Sequence, residues 1–179
     1  RVWGSWGARF SMRGMLDTIL NLGLNDTSVV GLAQATGNER FAWDCYRRFI
    51  QMFSAVVLDF EKREFEHAIE KLKHKRRVRL DTELTTADLK SLVARFKQLV
   101  RQRSDAEFPQ DPIEQLGRAR DAVFRSWNNE RAVYYRRQNR IPDDLGTAVN
   151  VDHVKRVYNE VLSGLVLTAQ TSAAQLQTY

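Results

Sequence analysis

The stretch Gly7-Ala8-Arg9-Phe10-Ser11-Met12-Arg13-Gly14-Met15-Leu16-Asp17-Thr18 is where residue types and spacing could hold an anion. Gly7 and Gly14 leave room for backbone amides to approach a phosphate. Arg9 and Arg13 bring positive charge, and Ser11, Asp17 and Thr18 bring short polar side chains. A helix starting near Met15 would add a favourable dipole. A tight turn ahead of a helix has the same composition, and the chemistry by itself does not separate the two readings. The densest basic run, Lys71 to Arg79, offers Lys73, Lys75, Arg76 and Arg77 as a surface for nucleic-acid phosphates. A solvated helix end, which cations favour at the C-terminus, is the preferred reading of the same run. Tyr134-Tyr135-Arg136-Arg137 mixes aromatics with cations as single-strand binders do. A helix with a half-buried aromatic face and an exposed arginine face accounts for it equally well.

No residue reads as catalytic from this chemistry. His67, His74 and His153 are scattered without metal-ligand spacing, and no glycine-rich loop leads to a lysine in the manner of a phosphate-binding P-loop. No metal site is therefore expected. The single cysteine, Cys45, excludes an intramolecular disulfide framework and a cysteine-cluster metal site. It falls on the apolar stripe of a helix, where it reads as core filler.

The elements that must position these residues follow a helical period almost throughout. The spacing predicts a mostly α fold of seven or eight helices with little or no sheet. Helices are expected over Met15–Leu22, Ser28–Ala35, Glu39–Leu58 and Glu61–Lys75. Thr85-Thr86-Ala87-Asp88 is a capping box that opens the next helix, and Asp111-Pro112 opens another. A seventh spans Glu130–Arg137, and Arg140 to Asn150 should be irregular. Asp152 to Leu167 reads as a last helix ahead of a polar tail. Ile113, Leu116, Val123, Phe124 and Trp127 are expected to face inward, with Phe49, Phe53, Phe96, Val123, Phe124 and Trp127 buried together. Any strands should lie near Val2–Phe10 or Gly146–Val151.

The chain has 179 residues, 43% of them hydrophobic and 28% charged, with a formal net charge of +6. That is the balance of a folded domain with a core of its own. The basic excess suits a phosphate-bearing ligand, RNA or an acidic partner alike. No apolar run approaches the roughly 18 residues of a membrane span. The opening Arg1, in place of methionine, reads as a piece or processed product of a longer protein.

Longer blocks carry a resemblance. GARFSMRGMLDTILNLGLND (residues 7–26), GNERFAWDCYRRFIQMF (37–53), DTELTTADLK (81–90), FPQDPIEQL (108–116) and AVFRSWNNERAVYYRRQNRIPDDLGTAVNV (122–151) resemble, in order and spacing, the nucleotide-binding domain of the pyruvate, phosphate dikinase family. The resemblance covers Gly7 to Val151. It implies an ATP-grasp-like domain whose phosphate-side loop is Gly7–Thr18 and whose helical insert is the remainder, with residues 152–179 as a divergent helix and tail. It also implies ATP and Mg²⁺ as ligands of the family and phosphoryl transfer toward phosphoenolpyruvate as its activity.

The chain also departs from the family pattern. An arginine that the resemblance implies on the ATP phosphates is replaced by Ser5, Trp6 stands for the following serine, and Arg13 stands for a proline. A hydroxyl does not supply a cation's charge-assisted bonds to a transferring phosphoryl group. The first expectation is thus a partial dikinase-like protein, inactive by itself, to which neither ATP nor Mg²⁺ binds tightly. The second is a non-catalytic module kept as a subunit of a larger assembly, with protein or RNA partners. A basic helical nucleic-acid binder unrelated to phosphotransfer is the weakest. The family implies a soluble cytosolic or organellar protein, with no membrane partner.

Overall fold

The structure, a computed structural model, describes Met12, residues 14–153 and residues 165–170, with residues 150–153 and 165–170 given by backbone. Six α-helices lie among the described residues, most of them punctuated as their sequences require. α1 (Ser28–Thr36) stops at Gly37, whose φ of +62° is a left-handed conformation glycine adopts without strain. α2 (Glu39–Val57) starts at Asn38, whose side chain accepts from the Phe41 amide. α3 (Lys62–Arg76) ends on Arg77 in a left-handed turn. α4 (Thr86–Ser104) opens with the expected box: Thr85 accepts from the Asp88 amide while Asp88 accepts from the Thr85 amide. α5 (Pro112–Arg125) has Asp111 accepting from the Ile113 and Glu114 amides. α6 (Glu130–Gln138) is capped by Asn129.

The long central α2 buries Ala42, Tyr46, Phe49, Ile50 and Phe53 on one stripe. That stripe packs against α1, α4 and a short strand, while α3 closes over α4. The resulting core joins Phe65, Phe96 and Phe108 to the α2 aromatics. Gln115, fully buried on α5, ties the loops beneath it: its amide oxygen accepts from Gly23 N at 2.9 Å and its nitrogen donates to the Leu24 and Pro109 carbonyls at 3.0 and 2.8 Å. Every bonding group of that amide has a partner, so burying it leaves no unpaired polar atom.

A three-stranded antiparallel sheet stands at one side in the order β1-β3-β2, with β1 at Thr18–Leu22, β2 at Ala148–His153 and β3 at Leu165–Gln170. The expected edge strand near Gly146–Val151 is β2. The other expected strand region, Val2–Phe10, lies outside the described residues. Two expectations fail here. The helix over Met15–Leu22 is a turn followed by β1: Thr18 pairs with Thr168, Ile19 with Leu167 and Leu22 with Leu165, with a bulge between Ile19 and Leu22. Asn21 takes φ +60° at that bulge. Met15, Leu16, Ile19 and Leu22 have helical spacing, but pairing with a strand about 145 residues away overrides so short a local signal. The helix over Asp152–Leu167 is strand at both of its described ends, β2 and β3. Residues 154–164 lie outside the description.

α5 also sits rotated from its expected face. It turns Gln115, Ala119, Ala122 and Val123 inward, which leaves Ile113 72% and Phe124 43% exposed. Small residues let the helix approach the sheet, so the stripe that packs is the one carrying alanine, with Phe124 on its flank. Trp127 is buried in a second, smaller cluster with Met12, Leu16, Ala132 and Ile141.

Candidate functional site

That second cluster is where the motif-bearing ends of the chain meet. After α5 the chain makes a 3-10 turn at Ser126–Asn128 and enters α6, which places four side chains around the segment from Met12 to Asp17. Ser126 Oγ accepts from Asp17 N at 3.1 Å and donates to Val123 O at 2.6 Å. Asn129 caps α6 through its oxygen and donates from Nδ2 to Met15 O at 3.2 Å. Arg131 donates from Nε to the same carbonyl at 3.0 Å and forms an ion pair with the Asp17 carboxylate. The segment itself turns through Met15 N to Met12 O at 3.0 Å, with Gly14 at φ +79°. Met12 and Leu16 sink into the cluster beside Trp127.

Arg136 holds this platform together. It is 2% exposed, donates to Trp127 O and, at 2.7 Å, to Asp143 Oδ1, and stands 4.1 Å from the Trp127 ring centroid. Trp127 Nε1 in turn donates to Asp143 O at 3.2 Å. The expected arrangement of Tyr134–Arg137 is therefore partly inverted: Arg136 is buried and Tyr134 is 66% exposed. A planar guanidinium bonds a carbonyl and a carboxylate at once while stacking on an indole, which makes its burial affordable. Arg131 and Arg137 line an open groove of about 620 Å³ on the outer side of α6, together with Asn128, Glu130, Val133 and Tyr134.

The structure places the expected loop residues unevenly. Ser5, Gly7, Arg9, Ser11 and Arg13 lie outside the described residues. Gly14 forms the turn, Asp17 is held by Arg131 and Ser126, and Thr18 is the exposed first residue of β1. No helix follows the loop, so the dipole expected at its C-terminal end is absent there. The helix that reaches it is α6, through the side chains of Asn129 and Arg131. Sequence reasoning missed Ser126, Asn129, Arg131 and Arg136 as parts of the site. All four lie within the family-resembling block at 122–151.

The basic run divides. Lys73 Nζ pairs with Glu70 at 2.8 Å and Asp81 at 3.3 Å, and Arg76 pairs with Asp88 at 2.6 Å. Lys75 and Arg77 remain exposed. Two of the four candidate basic residues are thus engaged in ion pairs within the fold. Burial pushes the Asp88 carboxyl pKa up, but bonds from Thr85 and Arg76 outweigh it and hold the carboxyl below its usual range. A depressed folded value adds stability above the unfolded carboxylate range and loses it as pH falls through the folded value. Wild type should therefore exceed Asp88→Asn in urea midpoint near neutrality, and the gap should close in strong acid. A gap independent of pH would remove the charge from the account. Cys45 is inert by the same reasoning: burial, then the Asp44 carboxylate, pushes its thiol up to about 11. Among the described residues no group of three His, Cys, Asp or Glu side chains is placed to hold a metal ion, and no helix is long and apolar enough to cross a membrane.

Comparison with known proteins decides the family. The model for the pyruvate phosphate dikinase AMP/ATP-binding domain matches residues 7–179. The chain belongs to this family. The match does not stop at Val151; it continues through β3 to Tyr179. The chain is 57% identical over 146 residues to pyruvate, phosphate dikinase of Clostridium symbiosum, covering 81% of the chain and 17% of that protein. It is 45% identical over 175 residues to the chloroplastic dikinase of Mesembryanthemum crystallinum, covering 97% of the chain and 18% of the relative. The Rhizobium meliloti dikinase is 43% identical over 175 residues, with 97% and 20% covered. The chain therefore spans a fifth or less of the length of these dikinases.

Proposed function

We propose that this chain forms the phosphate-side part of the nucleotide-binding domain of a dikinase, which uses ATP, phosphate and pyruvate to make phosphoenolpyruvate. The observation that carries this reading is the clamp of Ser126, Asn129 and Arg131 on Met15 and Asp17. It anchors the C-terminal end of the Gly7–Thr18 loop to a rigid platform 109 to 116 residues further along the chain. Phosphoryl transfer depends on positioning and electrostatic stabilisation, so a loop that carries cations is useful when one end is fixed. In this reading Arg9 and Arg13 belong to the phosphate-side loop, as the resemblance implies, and Arg131 keeps Asp17 neutralised. Mg²⁺, when bound, would shield phosphate charge. The described residues supply no carboxylate cluster to hold it.

The chain by itself should bind ATP weakly, without dependence on Mg²⁺, and release no AMP. Ser5 lacks the charge of the arginine it replaces, and most of the dikinase length lies beyond this chain. Isothermal titration with ATP, with and without Mg²⁺, and an AMP assay on labelled ATP check this. Arg131→Ala should weaken the ATP signal further by freeing the loop. Tight magnesium-dependent binding, turnover, or an Arg131→Ala variant that binds as wild type does would refute the corresponding part of the reading.

A further inference from the structure

α3 and α4 run antiparallel and are tied at both ends by ion pairs, Arg76 with Asp88 at one end and Arg103 with Glu64 at the other. Between the ties lies an open groove of about 990 Å³. Its floor is aliphatic, formed by Ala68, Leu72, Leu92 and Leu99. Along one rim stand Arg63, His67, Lys71 and Lys75, each four residues from the last, and Arg95 faces them from α4. All five are exposed.

We propose that this groove docks an acidic amphipathic helix of a partner protein. Lys71 and Lys75 are like charges at four-residue spacing, which destabilises a helix, so this pair costs the isolated fold something. The acids of the two helices do not relieve it: Glu64 is engaged by Arg103, Asp88 by Arg76 and Glu70 by Lys73. Arg63 pairs with Glu61, itself exposed, and Arg95 donates to Gln98 at 2.8 Å. Glu66 and Glu70 do not line the groove. No ion pair reaches Lys71 or Lys75 from the described residues. The row from 63 to 75 rises about 18 Å, which is three turns of a docked helix. An apolar floor with a cationic rim takes a helix that is leucine-rich on one face and glutamate-rich on its flanks. It is a poor match for nucleic acid, because no aromatic side chain lines the groove for bases to stack on.

The test is fluorescence anisotropy on the full 179-residue chain, with a labelled synthetic peptide carrying leucine at helical spacing and glutamate between. Three further probes share the assay: the same peptide with serine for leucine, the triple variant Lys71→Glu/Lys75→Glu/Arg95→Glu, and an oligo-uridine RNA competitor. Binding of the leucine peptide, with at least a tenfold loss in the serine peptide and in the triple variant, is expected. Circular dichroism should show the variant folded, since all three side chains are exposed and no ion pair among the described residues uses them. If it is not folded, Lys75→Gln replaces it, with a smaller loss expected. No binding of the leucine peptide, equal binding of the serine peptide, indifference to the charge changes, or displacement by RNA at equal concentration would each overturn the proposal, the last by making the row a nucleic-acid surface.

Discussion

Truncating Phe53 to alanine is expected to lower the free energy of unfolding by about 3–5 kcal/mol, the range for emptying a buried aromatic site. Phe53 is fully buried, and its ring meets Phe49 edge-on at 5.6 Å and Phe108 at 5.4 Å between centroids. Phe49 and Phe108 complete the triangle at 5.7 Å. Losing one ring therefore removes two aromatic contacts as well as transfer energy, and the neighbours are held by α2 and by the loop before α5, so the hole cannot collapse. A domain of this size has about two to three times that stability in total, so the urea midpoint should fall far. Phe124→Ala is the matched control: on the exposed flank of α5 it should cost less than about 1 kcal/mol. Equal shifts for the two variants would mean that the aromatic triangle is not the core.

Arg136→Ala should also destabilise, by about 1–3 kcal/mol, for a different reason. The guanidinium is buried, stacks on Trp127 and bonds both the Trp127 carbonyl and the Asp143 carboxylate. Removing it orphans a buried carbonyl and leaves a void under the indole. Arg136→Lys should recover only a part, because a point charge cannot bond both partners and stack. The consequence reaches the loop. Trp127 packs on Met12 and Leu16, and the same turn carries Ser126 and Asn129, so loosening it frees the Asp17 end. Proteolysis near Gly14 should accelerate in Arg136→Ala before global unfolding, and wild-type cleavage rates there would contradict the coupling.

Much of the fold was legible locally. Thr85 and Asp111 mark helix starts by side-chain chemistry that acts within four residues, and the structure uses both so. The α2 stripe was equally plain, since nineteen residues give its period enough turns to stand out. The family was legible too, because long blocks in order are specific where composition is not. The run 18–22 was not legible: five residues with apolar positions at 19, 20 and 22 satisfy a helix turn or a bulged strand, and the choice is made by β3. The inward face of α5 was misread because apolar type does not tell which stripe lies closest to a sheet. The basic run was only half read, since its spacing along the chain said nothing about Asp81 and Asp88 waiting across the fold to neutralise Lys73 and Arg76. The sequence by itself determined the helices, their caps and the family, because those depend on interactions between near neighbours or on long shared patterns. The tertiary structure alone decided the sheet, the clamp of Arg131 on Asp17, the burial of Arg136 and the groove between α3 and α4, because each joins residues whose separation along the chain carries no signal until the core has packed.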